Sequence, residues 1–310
     1  MEIVRGKPSV SYGELPSYLY MLEYTNPGTV TRLHKSDEGR FLYTFVSLYS
    51  SIKGWEYCRP IMVVDGSLLK AAYRGTVLTA CTLDAASEYT ISGFLSLNGS
   101  FRNIFPLAYA LIDSENDASW GWFFMQLKNT FGVREGMRIV SDRHDSIQNA
   151  TSTVYPEVPH CFCIYHLWNN VKDLFRKNKE KARPIFFTLA KAYTTERFEH
   201  YMNELNKIDR RVQPYLFSVG YERWSRVFCR VKRTIFMTSN IVESMNSTNK
   251  FARELPVRRL LEFLTKLMTQ WSYENRKHAT KSTELGKMYN KKLKKNMIAS
   301  QNMTAIPSTD

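Results

Sequence analysis

Two aspartates each close a run of apolar β-formers. Asp65 follows Ile61-Met62-Val63-Val64, and Asp142 follows Arg138-Ile139-Val140-Ser141. Short runs this rich in Val and Ile predict strands buried on both faces of a sheet. A carboxylate at the end of such a strand stands where the sheet opens to solvent. Gly66 after the first predicts a turn. Residues 73–83 and 104–112 read as two further strands, with Pro106 arguing for an edge or strand-start position in the latter. Asp117 is placed to cap a helix carrying Trp120, Phe123, Phe124, Leu127 and Phe131 on one stripe, with Gly132 as its stop. A strand over 137–141, a short helix over 145–154, a strand over 160–164 and a helix from Tyr165 follow. The order βββαβαβα, with acids ending the first and fourth strands, is the ribonuclease-H-like plan: an α/β fold with a mixed five-stranded sheet flanked by helices.

The rest of the chain is arranged around that core. Residues 1–50 read as a lead-in, helical over 13–24, broken at Asn26-Pro27-Gly28, then β-rich over 41–49, which pairs with or packs near the sheet edge. Residues 51–170 form the first part of the core. Within it, 85–102 is longer than a usual hairpin connection and apolar for a loop; it is expected to protrude while its flanks 79–84 and 103–108 still pair antiparallel. Residues 171–238 are charged with helical periodicity and read as an all-helical insertion before the last helices of the core, at 239–275. A basic tail, 276–310, closes the chain.

Charge is unevenly spread. Residues 1–170 hold 14 Lys and Arg against 16 Asp and Glu, whereas 171–310 hold 29 against 13. A basic half beside a near-neutral half points to a polyanion, most simply nucleic acid. No apolar run reaches the ~18 residues of a membrane span, and the first residues lack the apolar stretch of a secretory signal. Five scattered cysteines fit a reducing compartment.

A third acid, Glu243, lies in Asn240-Ile241-Val242-Glu243-Ser244-Met245-Asn246, at the start of a helix. Each acid has an ordinary reading of its own. Asp65-Gly66 is a common turn pair, Asp142 can pair with Arg143, and Asn240-x-x-Glu243 fits a capping box. Taken together, two strand-end aspartates and a helix-borne glutamate can hold divalent ions against a phosphodiester. The compact run His160-Cys161-x-Cys163-x-x-His166 lacks a second Cys/His pair at finger spacing, so structural zinc is not expected.

The chain resembles the transposases of plant Mutator-like elements. The resemblance rests on Cys58-Arg59-Pro60-Ile61-Met62-Val63-Val64-Asp65-Gly66, Phe105-Pro106-Leu107-Ala108-Tyr109, Asp113-Ser114-Glu115-Asn116-Asp117, Trp120-Gly121-Trp122-Phe123, Ser141-Asp142-Arg143-His144, Cys163-Ile164-Tyr165-His166 and the Glu243 motif. It implies a nuclear DDE-type transposase core in which Asp65, Asp142 and Glu243 are catalytic and bind two Mg²⁺ or Mn²⁺ ions. Cys163 and His166 match a supporting Cys/Asp-x-x-His motif. The implied reaction is DNA strand cleavage followed by transfer of the 3′-hydroxyl to target DNA, in a protein that could form a homo-oligomer and takes no small-molecule substrate. Lys172, Arg176, Arg230, Lys232, Arg233, Lys250, Arg258 and Arg259 are the candidate phosphate contacts. The terminal zinc modules of full-length relatives are not evident in the 310 residues. The alternative is therefore a domesticated, non-cutting DNA-binding or transcription-regulatory relative, or a decayed fragment.

Overall fold

The computed structural model describes residues 8–70, 75–83, 104–229, 237, 242–243, 245–246, 250–279 and 287–301. In chain order its elements are α1 (Pro8–Gly13), α2 (Leu15–Thr25), β1 (Val30–Lys35), β2 (Phe41–Ser47), α3 (Tyr49–Trp55), β3 (Ile61–Leu68), β4 (Thr76–Leu83) and β5 (Ile104–Ile112). There follow α4 (Asp117–Phe131), β6 (Arg138–Ser141), α5 (Asp145–Val154), β7 (His160–Phe162) and α6 (Ile164–Val171). A 3₁₀ stretch (Lys172–Asn178) leads to α7 (Lys179–Ala190), α8 (Thr195–Ile208), α9 (Val212–Val219) and α10 (Tyr221–Trp224). The long α11 (Val257–Ala279) and α12 (Lys287–Ser300) complete the described chain.

The sheet has seven strands, not five, in the order β1-β2-β5-β4-β3-β6-β7. The two additional strands come from the lead-in: β2 pairs antiparallel with β5, and β1 with β2. β3, β4 and β5 form an antiparallel meander, while β6 and β7 join β3 in parallel. Parallel neighbours need crossovers, and α4 and α5 supply helices for them.

Strand alternation sorts the core into two layers. Ile61, Val63, Val77, Cys81, Tyr109, Leu111, Val140 and Cys161 face a cluster containing α11 residues Leu260, Leu264 and Met268, together with Val242 and Met245. The intervening Met62, Val64, Leu78, Ala80, Ala110 and Ile139 face Trp120, Phe123, Phe124 and Leu127 of α4 and Ile147 of α5. A third cluster joins Phe162 and α6 to the helices that follow, around Trp168, Phe186, Phe198 and Trp224.

Local expectations change at Gly66 and at the cap of α4. Gly66 makes no turn, because β3 runs on to Leu68 with Gly66 opposite Leu78. Pro106 is the third residue of β5, at a point where β5 has no β2 partner and is locally an edge, as expected. It is accommodated because the β4–β5 register shifts there, with a bulge at Leu107, and because β2 pairs only with residues 109–112 of β5; a bulge tolerates the missing N–H. The cap of α4 is Asn116, whose side chain accepts from Ser119 N while Ser119 Oγ accepts from Asn116 N. Residues 85–102 lie outside the described residues. Their flanks pair antiparallel from Leu83↔Ile104 through Thr79↔Tyr109, as expected of a hairpin.

Candidate active site

The parity of β3 sets the direction of its acid. Asp65 continues the Ile61–Val63 series and so points to the layer covered by α11 and the Val242–Asn246 segment. On the parallel side, β3 pairs with β6 only through Val63↔Val140. Asp65 therefore lies within its strand yet beyond the end of β6, and Asp142 stands just past that same end. Asp142 Oδ1 accepts from His144 N at 3.1 Å, which fixes the bend into α5.

Glu243 arrives from the opposite direction. Val242 and Met245, on either side of it, are fully buried in the layer beneath β3 and β4. One helical turn later, Asn246 donates to Asp65 Oδ2 at 2.8 Å. Its own Oδ1 accepts from Thr79 Oγ1 at 3.1 Å, and Thr79 is the residue opposite Asp65 in the β3–β4 ladder. Glu243 Oε1 lies 3.8 Å from Nε2 of His166, in the first turn of α6. Spacings of 77 and 101 residues thus close into one pocket.

The electrostatics report the same convergence. Asp65 is pushed up to about 7, first by burial, then by Asp142 and Glu243, with His166 and the Asn246 hydrogen bond opposing. His166 is raised to about 9, chiefly by its hydrogen bond with Cys163, with Glu243 and Asp142 adding and burial opposing. A half-buried carboxylate close to two others is the arrangement a hard cation relieves.

The His-Cys-x-Cys-x-x-His run does not act as one group. His160 shares a 2.8 Å hydrogen bond with Ser141 Oγ, and burial lowers its pKa to about 4. Cys161 Sγ lies 3.9 Å from Cys229 Sγ. Only Cys163 and His166 reach the pocket, where they and Glu243 bring three donor atoms within 4.8 Å of one another.

Lys172 is half-buried and bonds Asn169 Oδ1 at 3.0 Å, and Lys250 is exposed. Arg258 lies 3.5 Å from Glu14 and Arg259 3.4 Å from Glu262, so both already have acidic partners. Arg230, Lys232, Arg233 and the Arg176 side chain lie outside the described residues.

Sequence reasoning passed over Asn246, Thr79 and Tyr215. Asn246 was within reach, since three residues on from Glu243 is the same helical face. Thr79 needed the strand register. Tyr215, whose hydroxyl accepts from Arg143 Nη1 at 2.7 Å, needed the helical packing.

With this geometry in place, comparison with known families becomes informative. Residues 61–170 match the MULE transposase domain. This bears out the resemblance read from the motifs. The MULE match takes in Asp65, Asp142, Cys163 and His166 but stops short of Glu243. The chain is also similar to Protein FAR1-RELATED SEQUENCE 4 of Arabidopsis thaliana, 22% identical over 137 residues, covering 40% of this chain. The match spans only 18% of that relative's length. No helix among the described residues is long and apolar enough to cross a membrane.

Proposed function

We propose that this chain is the catalytic core of a DDE-type transposase acting on nuclear DNA, with Asp65, Asp142 and Glu243 as its acids. The observation that carries the reading is the meeting of Asp142 and Glu243 at the half-buried Asp65. The meander β5-β4-β3 followed by parallel β6 and β7 supports a ribonuclease-H-like fold. All three acids offer oxygen donors, which suit Mg²⁺ or Mn²⁺. Two such ions supply an activated water or 3′-hydroxyl and stabilise the leaving oxygen.

The chain's own residues prepare the pocket. Asn246 donates to one oxygen of Asp65 and so holds the carboxylate in place. His166 holds a proton beside Glu243 and orients its carboxylate. The chain's excess of basic residues beyond 170 gives phosphate contacts.

Mn²⁺-dependent nicking of supercoiled DNA tests the proposal. Cleavage by the wild-type chain that is lost in Asp142→Asn supports it. DNA binding without cleavage, including when the chain is fused to a DNA-binding module, would favour the non-cutting regulatory relative.

A further inference from the structure

One feature of the pocket is not explained by hard-cation chemistry: a thiol. Cys163 is fully buried at the N-terminus of α6, immediately after β7. It follows Cys161 by two residues and so keeps the same face, toward the Glu243 segment. His166, three residues on, lies on the same side of the helix. Sulfur, imidazole nitrogen and carboxylate oxygen lie mutually within 4.8 Å. The His166 and Glu243 side chains are 33% and 42% exposed, so the cluster is reachable from solvent on one side.

We propose that Cys163, His166 and Glu243 form an open, three-donor site for a borderline-soft transition ion, Zn²⁺ first among them. Zn–S near 2.3 Å and Zn–N or Zn–O near 2.0 Å give a tetrahedral edge of about 3.5 Å, so the donors need close by only about 1 Å. Three protein ligands leave the fourth position to water. Mg²⁺ has no use for a thiolate, whereas Zn²⁺ does. Binding breaks the Cys163 S–H bond and takes one N–H proton from the His166 imidazolium, releasing both protons to the buffer with no change in oxidation state. The site differs from a structural finger, since His160 and Cys161 have other partners. It shares Glu243 with the acid set, so Zn²⁺ held here competes with the hard ions for that carboxylate.

Co²⁺ is the probe, titrated into the full chain under a non-thiol reductant and without DNA. One equivalent should produce a near-ultraviolet thiolate-to-cobalt charge-transfer band together with intense visible bands of four-coordination, and Zn²⁺ should erase both. Cys163→Ser should remove the charge-transfer band, while Cys161→Ser and Cys229→Ser keep it. His166→Gln and Glu243→Gln should keep the band but weaken affinity by roughly tenfold or more, the change seen even for a lost outer partner. Because Cys163 is buried, backbone circular dichroism accompanies its variant. Should that variant unfold, the affinities of the other two decide. A six-coordinate spectrum lacking charge transfer, a band that survives Cys163→Ser, or unchanged affinity in both His166→Gln and Glu243→Gln would overturn the site. The spectrum is read without DNA, so failure of Mn²⁺-dependent nicking leaves this result standing, and the converse also holds.

Discussion

Asn246 donates its side-chain amide to Asp65 Oδ2 at 2.8 Å, across 181 residues of chain. A flip would turn the amide oxygen toward the Asp65 carboxylate, two acceptors face to face, so this orientation is held, with Thr79 donating to Oδ1 at 3.1 Å. Thr79 faces Asp65 across the ladder, so one side chain ties two central strands to the helical segment that bears Glu243. The hydrogen bond also favours the ionised form of Asp65, against the burial that opposes it.

Asn246→Ala should therefore raise the Asp65 pKa further above about 7. The acidic limb of metal-dependent cleavage should move to higher pH, while activity well above that limb recovers in part. A pH profile unchanged in position, with only its height reduced, would mean that Asn246 serves packing alone.

Metal-free stability should fall as pH rises. Asp65 is held at about 7 in the fold, against ~3.9 in an unfolded chain. Between those values the folded protein keeps a proton that the unfolded chain has released, so stability present below pH ~4 is lost on the way to 7. His166, raised to about 9, extends the loss from pH ~6.5 to 9 by the same sign. Thermal melts in chelator from pH 4 to 9 should show the decline, and Asp65→Asn should flatten its lower half. Stability that instead climbs from pH 4 to 7 in the wild type but not in Asp65→Asn would mean that Asp65 is not the half-buried, charge-crowded acid described.

Tyr215→Phe removes the acceptor of Arg143 Nη1, which also sits over the Phe162 and Tyr215 rings. A hydrogen bond to a charged group is worth roughly 1.5–3 kcal/mol. Urea unfolding should show a loss near the lower bound, because water can replace the phenol at this half-buried position. A change under about 0.5 kcal/mol would place the contact among the neutral surface substitutions.

DNA affinity should fall with salt at about 0.9 log units per phosphate contact per log unit of salt. Arg258 and Arg259 already have carboxylate partners in Glu14 and Glu262. Lys172 donates to the neutral side-chain amide of Asn169, and Lys250 is exposed. Reversing Lys172 and Lys250 to Glu should then reduce the salt slope by more than reversing the arginine pair. Equal reductions would mean the basic half acts through net charge alone.

Much of the sheet was legible because its strands are apolar on both faces. The limits of β5 and α5 match the residues read from pattern alone, and those of β3, β4 and β6 differ by a few residues. β1 escaped notice because Val30–Lys35 alternates Arg, His and Lys with its apolar residues, and most of its residues are solvent-exposed or only half-buried. Pro106 marked a locally unpaired edge of β5, whereas the bulge at Leu107 of the same strand is a property of register that the residues alone do not give. The three acids were legible as residue types in order. Their meeting was not, since it depends on the parity of β3 and on the packing of Val242 and Met245 against the sheet.

β2 covers the open edge of β5, all nine of whose residues are buried, and α11 covers one face of the same strand. The stretch that matches across families, residues 61–170, contains neither. Cut to that length, the protein would present a long apolar edge with unpaired amides, a template for aggregation. The segment that matches the family model is thus smaller than the segment that covers its own sheet.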